Sequence, residues 1–399
     1  MNRIVSIDII RGFALFGIFL VNMPAFHSAE FMRMIYGVER EVDGADYWLD
    51  LFFALFIDMK FFTIFSFLFG LGFYIFMSRA EEKVLRVKTL YLRRILVLFL
   101  FGAAHLVLLW FGDILHTYAI TGLLLLFFYK RKVKTILIWA FSLLFVYNAL
   151  MSMPLLIPSD LYEAIQEEYQ PYYEEHADEY VEMYKTASYT EWVSYRFNTE
   201  VVVILGNMIA NIPPILALFL FGLAAGKVGI FKRTEEFISL LKRIQMWTMG
   251  IGAVLVTMLA LYKTEILDMG VKTSSVTQLF TSLSGVVLCF FYISTLTLLL
   301  QREKWQQRLR PLGYAGQMAL TNYLMQTIIS LTIFLGFDLY EKVSLLTGTL
   351  LCLVIFSVQL FVSSLWLKTF QYGPFEWIWR IMTYGKLLPI KKKSFAKDS

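Results

Sequence analysis

A chain of 399 residues that is 58% hydrophobic and only 17% charged, with a mean hydropathy of +0.63, departs far from soluble globular composition. Its net charge is a modest +5, and it carries no Walker A sequence, no nucleic-acid motif and no Cys/His cluster at metal spacing, which leaves P-loop chemistry, nucleic-acid binding and a metal cofactor without a basis in the sequence. Cys289 and Cys352 both sit in apolar runs and act as small hydrophobes rather than a disulfide framework.

Repeated apolar runs predict an all-α, polytopic integral membrane helix bundle of about ten transmembrane helices. They fall at 7–24, 50–78, 94–110, 114–129, 135–156, 201–226, 244–263, 278–300, 318–337 and 343–366; about 20 apolar residues cross a ~30 Å hydrocarbon core. In the first run Asp8 and Arg11 interrupt the apolar sequence and no small-x-small cleavage site follows, so it reads as a retained helix. The two charges lie three residues apart on one face, either as a structural ion pair or with Arg11 turned into a vestibule to hold an anion such as a phosphate. At the other end Asn22 and Pro24 precede His27, whose default reading is a solvated loop histidine.

The run 50–78 is too long for one simple span, and Asp58 and Lys60 split it, which predicts a tilted or broken helix or an interfacial lead-in. The stretch 101–119, FGAAHLVLLWFGDILHTYA, reads as two spans joined by a turn through Gly112 and Asp113, where a cavity is expected. Titratable groups at membrane depth are costly and face a bundle interior, a cavity or each other. His105 is either a buried structural histidine or a general base or acyl acceptor. Asp113 and His116 are spaced so that the carboxylate can orient the imidazole and raise its basicity; Asp113 is also placed to cap the following helix.

The loop 158–200 holds eleven acidic residues against Lys185 and Arg196 and predicts one or two surface helices, as a solvated cap or as a lid. After Gln301 the loop REKWQQRLRPLGYAGQ is basic and amphipathic, suited to anionic headgroups or to a phosphate-bearing donor. In the span 318–337, Asn322, Tyr323 and Gln326 form a polar set, read as interhelical packing or as donors to a ligand. The break at Gly373 and Pro374, followed by Phe375, Trp377, Trp379, Arg380 and Tyr384, predicts an amphipathic helix on the inner leaflet. No internal repeat is evident. Lys and Arg number 28 on one side of this topology and 7 on the other, which places both termini in the cytoplasm. The segments are then 1–157 with spans 1 to 5, the extracytoplasmic loop 158–200, 201–388 with spans 6 to 10 and the interfacial helix in the same membrane domain, and a basic cytoplasmic tail at 389–399.

The blocks SIDIIRGFALFGIFLVN, RRILVLFLFGAAHLVLLWFGDILHTYAITG, GYAGQMALTNYLMQTII and LWLKTFQYGPFEWIWRIMTYG, in this order and spacing, resemble the YeiB family (DUF418) of bacterial inner-membrane proteins. That family is in turn similar to the transmembrane acyltransferases, which include the lysosomal heparan-glucosaminide N-acetyltransferase. The resemblance implies an acyl group taken from acyl-CoA on the cytoplasmic side and passed to an envelope glycan, a lipid or another extracytoplasmic acceptor. Asp8 and Arg11 match the S-x-D-x-x-R-G start of that superfamily's first helix, and His27 falls in the region of its essential histidine. On this reading Arg11, Arg93 and Arg94 attract the CoA phosphates. His27, His105 or His116 acts as base or acyl carrier, Asp113 orients His116, and Asn322 or Gln326 donates to the thioester oxygen. The competing expectations are a small-solute transporter or exporter and a noncatalytic envelope scaffold. The other expected contacts are membrane lipid and a second copy of the chain in a homodimer, with no nucleic acid.

Overall fold

Each long apolar run becomes helix, because inside a bilayer backbone N–H and C=O groups find partners only within the helix itself. The computed structural model describes residues 4–36, 42–83 and 86–392. Its seventeen α-helices are α1 (Val5–His27), α2 (Glu30–Tyr36), α3 (Gly44–Phe56), α4 (Lys60–Glu82), α5 (Val87–Leu108), α6 (Leu115–Phe128), α7 (Val133–Met151), α8 (Ser159–Thr186), α9 (Tyr189–Tyr195), α10 (Val201–Val228), α11 (Ile238–Lys263), α12 (Thr273–Leu299), α13 (Glu303–Arg308), α14 (Arg310–Gln317), α15 (Ala319–Phe334), α16 (Leu345–Thr369) and α17 (Pro374–Tyr384). Among the described residues there is no strand, only an isolated bridge between Phe370 and Lys391. Eight segments are long and apolar enough to cross a membrane, and the shorter apolar helices α6 and α15 occupy the other two predicted spans. The protein is a multi-pass membrane helix bundle.

Helix α1 runs through the centre and buries Ile9, Ile10, Ala14, Leu15, Phe19, Met23 and Phe26. Two crossings around it are close enough that only glycine fits. A Cβ at Gly12 would lie 1.9 Å from the Leu312 carbonyl oxygen, and one at Gly316 would lie 2.0 Å from that of Asp8, so α1 and α14 touch backbone to backbone. Gly70 and Gly222 do the same for α4 and α10, each 1.9 Å from the opposite carbonyl oxygen if a Cβ were added. Small residues at helix crossings bring backbones into van der Waals contact where no hydrophobic force operates between helices. Large apolar side chains on α7 and α11, among them Phe141, Phe145 and Trp247, remain exposed, as expected of faces turned to lipid.

The run 50–78 is broken, as its charges suggested. Met59 takes a left-handed conformation at φ 62°, ending α3 before α4 begins. Side chains repair the interruption: Lys60 Nζ donates to the Ala54 carbonyl at 2.6 Å and the Tyr292 hydroxyl to that of Phe56 at 3.1 Å.

Three regions differ from the sequence expectation. The PLGYAGQ part of the basic loop forms α14 and is packed against α1 instead of lying on a membrane surface, because its glycines admit close contact. The C-terminal end of the acidic loop is buried: Arg196 and Glu200 are both 0% exposed and paired at 3.0 Å. The Tyr184 hydroxyl donates to Glu200 at 2.7 Å, and the Arg196 guanidinium lies 3.6 Å from the centre of the Trp192 ring. Helix α17 docks on the bundle through Glu376, which is half-buried and accepts from the Leu320 and Thr321 amides at 2.7 and 3.1 Å and from the Thr321 hydroxyl at 2.6 Å. Burial outweighs these bonds and holds the Glu376 carboxyl above its ordinary value. Of the basic tail predicted at 389–399, residues 393–399 lie outside the described residues.

Candidate functional site

A cavity of about 540 Å³ runs along the bundle between α1, α4, α5, α6, α15 and α17. Its mouth lies at the basic end, which the charge bias assigns to the cytoplasm. Arg11, Arg79, Lys83, Arg94 and Arg380 line it there, against the acids Asp8 and Glu376. Arg11 is partly compensated, with Nη1 3.3 Å from Asp8 Oδ1 and 3.4 Å from the Gly316 carbonyl oxygen. Aromatic faces hold two of the others: Arg94 lies 3.7 Å from the Trp379 ring centre and 5.2 Å from that of Phe76, and Arg380 lies 4.4 Å from that of Tyr372. An aromatic face fixes a guanidinium without neutralising it. The mouth therefore keeps a positive potential towards an anion.

Further in, the wall is apolar and aromatic, with Leu15, Ile18, Phe69, Phe73 and Leu98. Tyr91 and Tyr118 also line it, but their hydroxyls are engaged, with the Gly122 carbonyl at 2.8 Å and Ser66 Oγ at 2.6 Å. The inner end is formed by Ile114, Leu115, Tyr118 and Tyr323. Ile114 and Leu115 follow Asp113 directly, and the Tyr323 ring centre is 5.1 Å from that of His105.

Behind this inner wall Asp113 joins both histidines. His105 Nδ1 is 3.0 Å from Asp113 Oδ1, His116 Nδ1 is 2.8 Å from Oδ2, and the His116 amide donates to Oδ2 at 2.9 Å. An ionised carboxylate accepts only, so the network assigns Nδ1–H to both rings. Each Nε2 is then an acceptor in the neutral ring, facing Thr327 Oγ1 at 2.9 Å for His105 and Thr117 Oγ1 at 3.1 Å for His116. All three groups are buried. Room for the turn comes from Gly102, where a Cβ would lie 2.3 Å from the His116 amide nitrogen. The arrangement can hold two imidazoles in fixed tautomers and raise the basicity of each Nε2, which is what proton transfer requires. Beside it Phe26, Trp110, Phe111 and Tyr180 form a chain of tilted and edge-on ring contacts, with successive centres 4.4 to 6.0 Å apart.

The structure sorts the residues singled out in the sequence. Asp8, Arg11 and Arg94 line the mouth, while Arg93 is exposed and outside the cavity lining. His105, Asp113 and His116 form one cluster. His27 is not a loop residue: it closes the last turn of α1, is 2% exposed, and packs against Phe334 with ring centres 5.5 Å apart, away from the cavity. Asn322 and Gln326 also lie outside the cavity lining and bond to α16, through Asn322 Nδ2 to Ser363 Oγ at 3.0 Å and Gln326 Nε2 to Gln359 Oε1 at 2.9 Å. Tyr323, one residue round the helix, is the member of that set that reaches the cavity. Sequence reasoning missed Thr327, Arg79 and Lys83. Thr327 lies four residues after Tyr323, but its pairing with His105 spans 222 positions and leaves no local signal.

The family described as "Protein of unknown function (DUF418)" matches residues 225–386. A Bacillus subtilis (strain 168) protein described as "Uncharacterized protein YxaH" is 34% identical over 410 residues, covering 98% of this chain and 97% of the relative. A Bacillus acidopullulyticus protein, "Uncharacterized 39.9 kDa protein in amylase 3'region", is 31% identical, covering 99% of this chain and 98% of the relative. "Uncharacterized protein YeiB" of Escherichia coli (strain K12) is 26% identical, covering 99% of this chain and 100% of the relative. No solved structure matches the chain.

Proposed function

The chain belongs to the YeiB (DUF418) family, and from that premise we propose that it is an acyltransferase of the bacterial cytoplasmic membrane, taking its acyl group from a CoA thioester on the cytoplasmic side. The observation that carries this reading is one cavity with a cationic mouth at the basic end and an inner end against the turn that holds Asp113 and His116. The mouth suits the donor's phosphates, since guanidinium groups fixed on rings offer charge and directed N–H donors together. The cavity brings the thioester towards the imidazole cluster. There the acceptor's hydroxyl or amine forms a bond to the thioester carbon and the C–S bond breaks. The acceptor's proton passes through an imidazole Nε2 to the departing thiolate, so donor and acceptor leave as CoA and an ester or amide. The acceptor is an envelope glycan, a lipid or a small molecule approaching the cluster from the side away from the cationic mouth.

The test uses purified protein in nanodiscs with acetyl-CoA and amino-sugar acceptors. Thiol release that depends on His116 and falls in Arg11→Gln supports the reading; no acetyl-CoA binding at millimolar concentration refutes it. The interrupted helices at Met59 and Met318 favour one other reading, a transporter, because helix breaks at membrane depth commonly bind transported ions and solutes. Solute flux in proteoliposomes that depends on Asp113, without thiol release, would select it.

A further inference from the structure

Two buried donors at opposite ends of the cavity have no acceptor among the described residues: Arg79 Nε at the mouth and the hydroxyl of Tyr323 at the inner end, whose oxygen the Ile114 amide faces. Buried polar groups in folded proteins are mostly paired. Other buried atoms also lack a partner elsewhere in the bundle, Thr121 Oγ1 and Ser330 Oγ among them, but among the described residues that line the cavity these are the two. Tyr91 and Tyr118, buried on the same wall, are both satisfied, and so are the side-chain amides of Asn322 and Gln326 on either side of Tyr323. Both unpaired groups can donate: a guanidinium N–H has no acceptor capacity, and a phenol offers its O–H. Arg79 and Phe65, fourteen residues apart on α4, line the two ends, so the cavity is roughly 21 Å long at 1.5 Å per residue.

A ligand that answers both groups carries an anion at one end and a hydrogen-bond acceptor at the other, joined by a slender chain that tolerates apolar walls. A lipid chain ending in a methyl group leaves Tyr323 unanswered; a CoA thioester ends in a carbonyl. We infer that Tyr323 donates its hydroxyl proton in a hydrogen bond to the carbonyl oxygen of the donor's thioester, while Arg79 takes a donor phosphate at the mouth. The inference rests on the acyltransferase reading and assigns a catalytic residue within it. As the acceptor bonds to the carbonyl carbon, negative charge grows on the oxygen that Tyr323 faces. The phenol stabilises that charge without giving up its proton, and the charge returns to form the carbonyl as the C–S bond breaks. The His105 ring against Tyr323 positions the phenol at the boundary between the cavity and the Asp113 cluster.

The experiment measures acetyl-CoA and CoA binding to the full chain in nanodiscs, with the infrared carbonyl stretch of bound carbonyl-labelled acetyl-CoA as a second readout. Wild-type protein should bind acetyl-CoA roughly tenfold more tightly than CoA, one hydrogen bond's effect, with the stretch moved to lower wavenumber. Tyr323→Phe keeps the ring against His105; it should reduce acetyl-CoA affinity to that of CoA, leave CoA affinity unchanged and abolish the spectral shift. Arg79→Gln should weaken both ligands equally. If Tyr323→Phe retains the preference and the shift, or loses CoA affinity as well, the role given to Tyr323 is overturned and the acyltransferase reading stands. Wild-type protein that binds neither ligand overturns both.

Discussion

Replacing Asp113 by asparagine isolates the charge of the buried cluster while keeping its shape. The carboxylate accepts three hydrogen bonds, from His105 Nδ1, His116 Nδ1 and the His116 amide, and the first two are between side chains 0 to 2% exposed. Bonds to a charged acceptor contribute about 1.5–3 kcal/mol and neutral ones about 0.5–1.5 kcal/mol, so neutralisation alone should cost about 1 kcal/mol per bond, or about 3 kcal/mol in all. The asparagine oxygen must face His116, because a backbone amide cannot become an acceptor. Its NH2 then faces His105, which has to move its proton from Nδ1 to Nε2. Asp113→Ala should cost more than Asp113→Asn, since three buried donors lose their acceptor. Thermal unfolding in a single detergent, followed by tryptophan fluorescence, ranks wild type above Asn above Ala. Equal midpoints for wild type and Asp113→Asn, or Asn below Ala, would refute the bonding scheme.

Other consequences can be measured in the same preparation. Gly316→Ala, which puts a methyl group 2.0 Å from the Asp8 carbonyl oxygen, should destabilise the protein by about 1–3 kcal/mol through overpacking, read as a lower unfolding midpoint; an unchanged midpoint would mean that α1 and α14 do not touch. Arg196→Met leaves the buried Glu200 carboxylate without its cation, with the Tyr184 hydroxyl still donating to it, should cost about 3–5 kcal/mol, and should expose α8 to limited proteolysis, whereas an intact α8 would show that the Arg196 cluster does not secure it. Glu376 has a folded-state pKa above its unfolded value, because burial dominates, so its contribution favours folding when it is protonated and is lost as pH rises through that folded value. Glu376→Gln should therefore gain stability relative to wild type as pH rises from the ordinary glutamate range through the raised folded value, and a difference that does not vary with pH would show that Glu376 does not titrate in this way.

The ten spans, the break near Met59 and the helix in the acidic loop could be read from the sequence, because segment length, hydropathy and helix-breaking charges are local properties that a bilayer converts directly into structure. The pairing of Asp113 with His116 was also legible, since three residues across a helix start fix the distance. His105 joining the same carboxylate was not, because eight residues and a turn intervene. Nor could the sequence tell which of Asn322, Tyr323 and Gln326 faces the cavity. Periodicity puts Asn322 and Gln326 on one face of α15 but does not say whether α16 or the cavity lies opposite. His27 shows the same limit: its place after Pro24 resembled a loop until Phe334 and Gly348 closed over it. The sequence by itself determined a multi-pass helical membrane protein, a strong bias of Lys and Arg to one of its two sides, and a short set of buried polar residues. The tertiary structure alone decided that Arg11, Arg79, Arg94 and Arg380, drawn from four helices, surround one mouth, and that the cavity behind them ends at Tyr323. These are contacts between segments far apart in the chain, set by backbone approach at Gly12, Gly70, Gly222 and Gly316, and no local pattern encodes which faces meet.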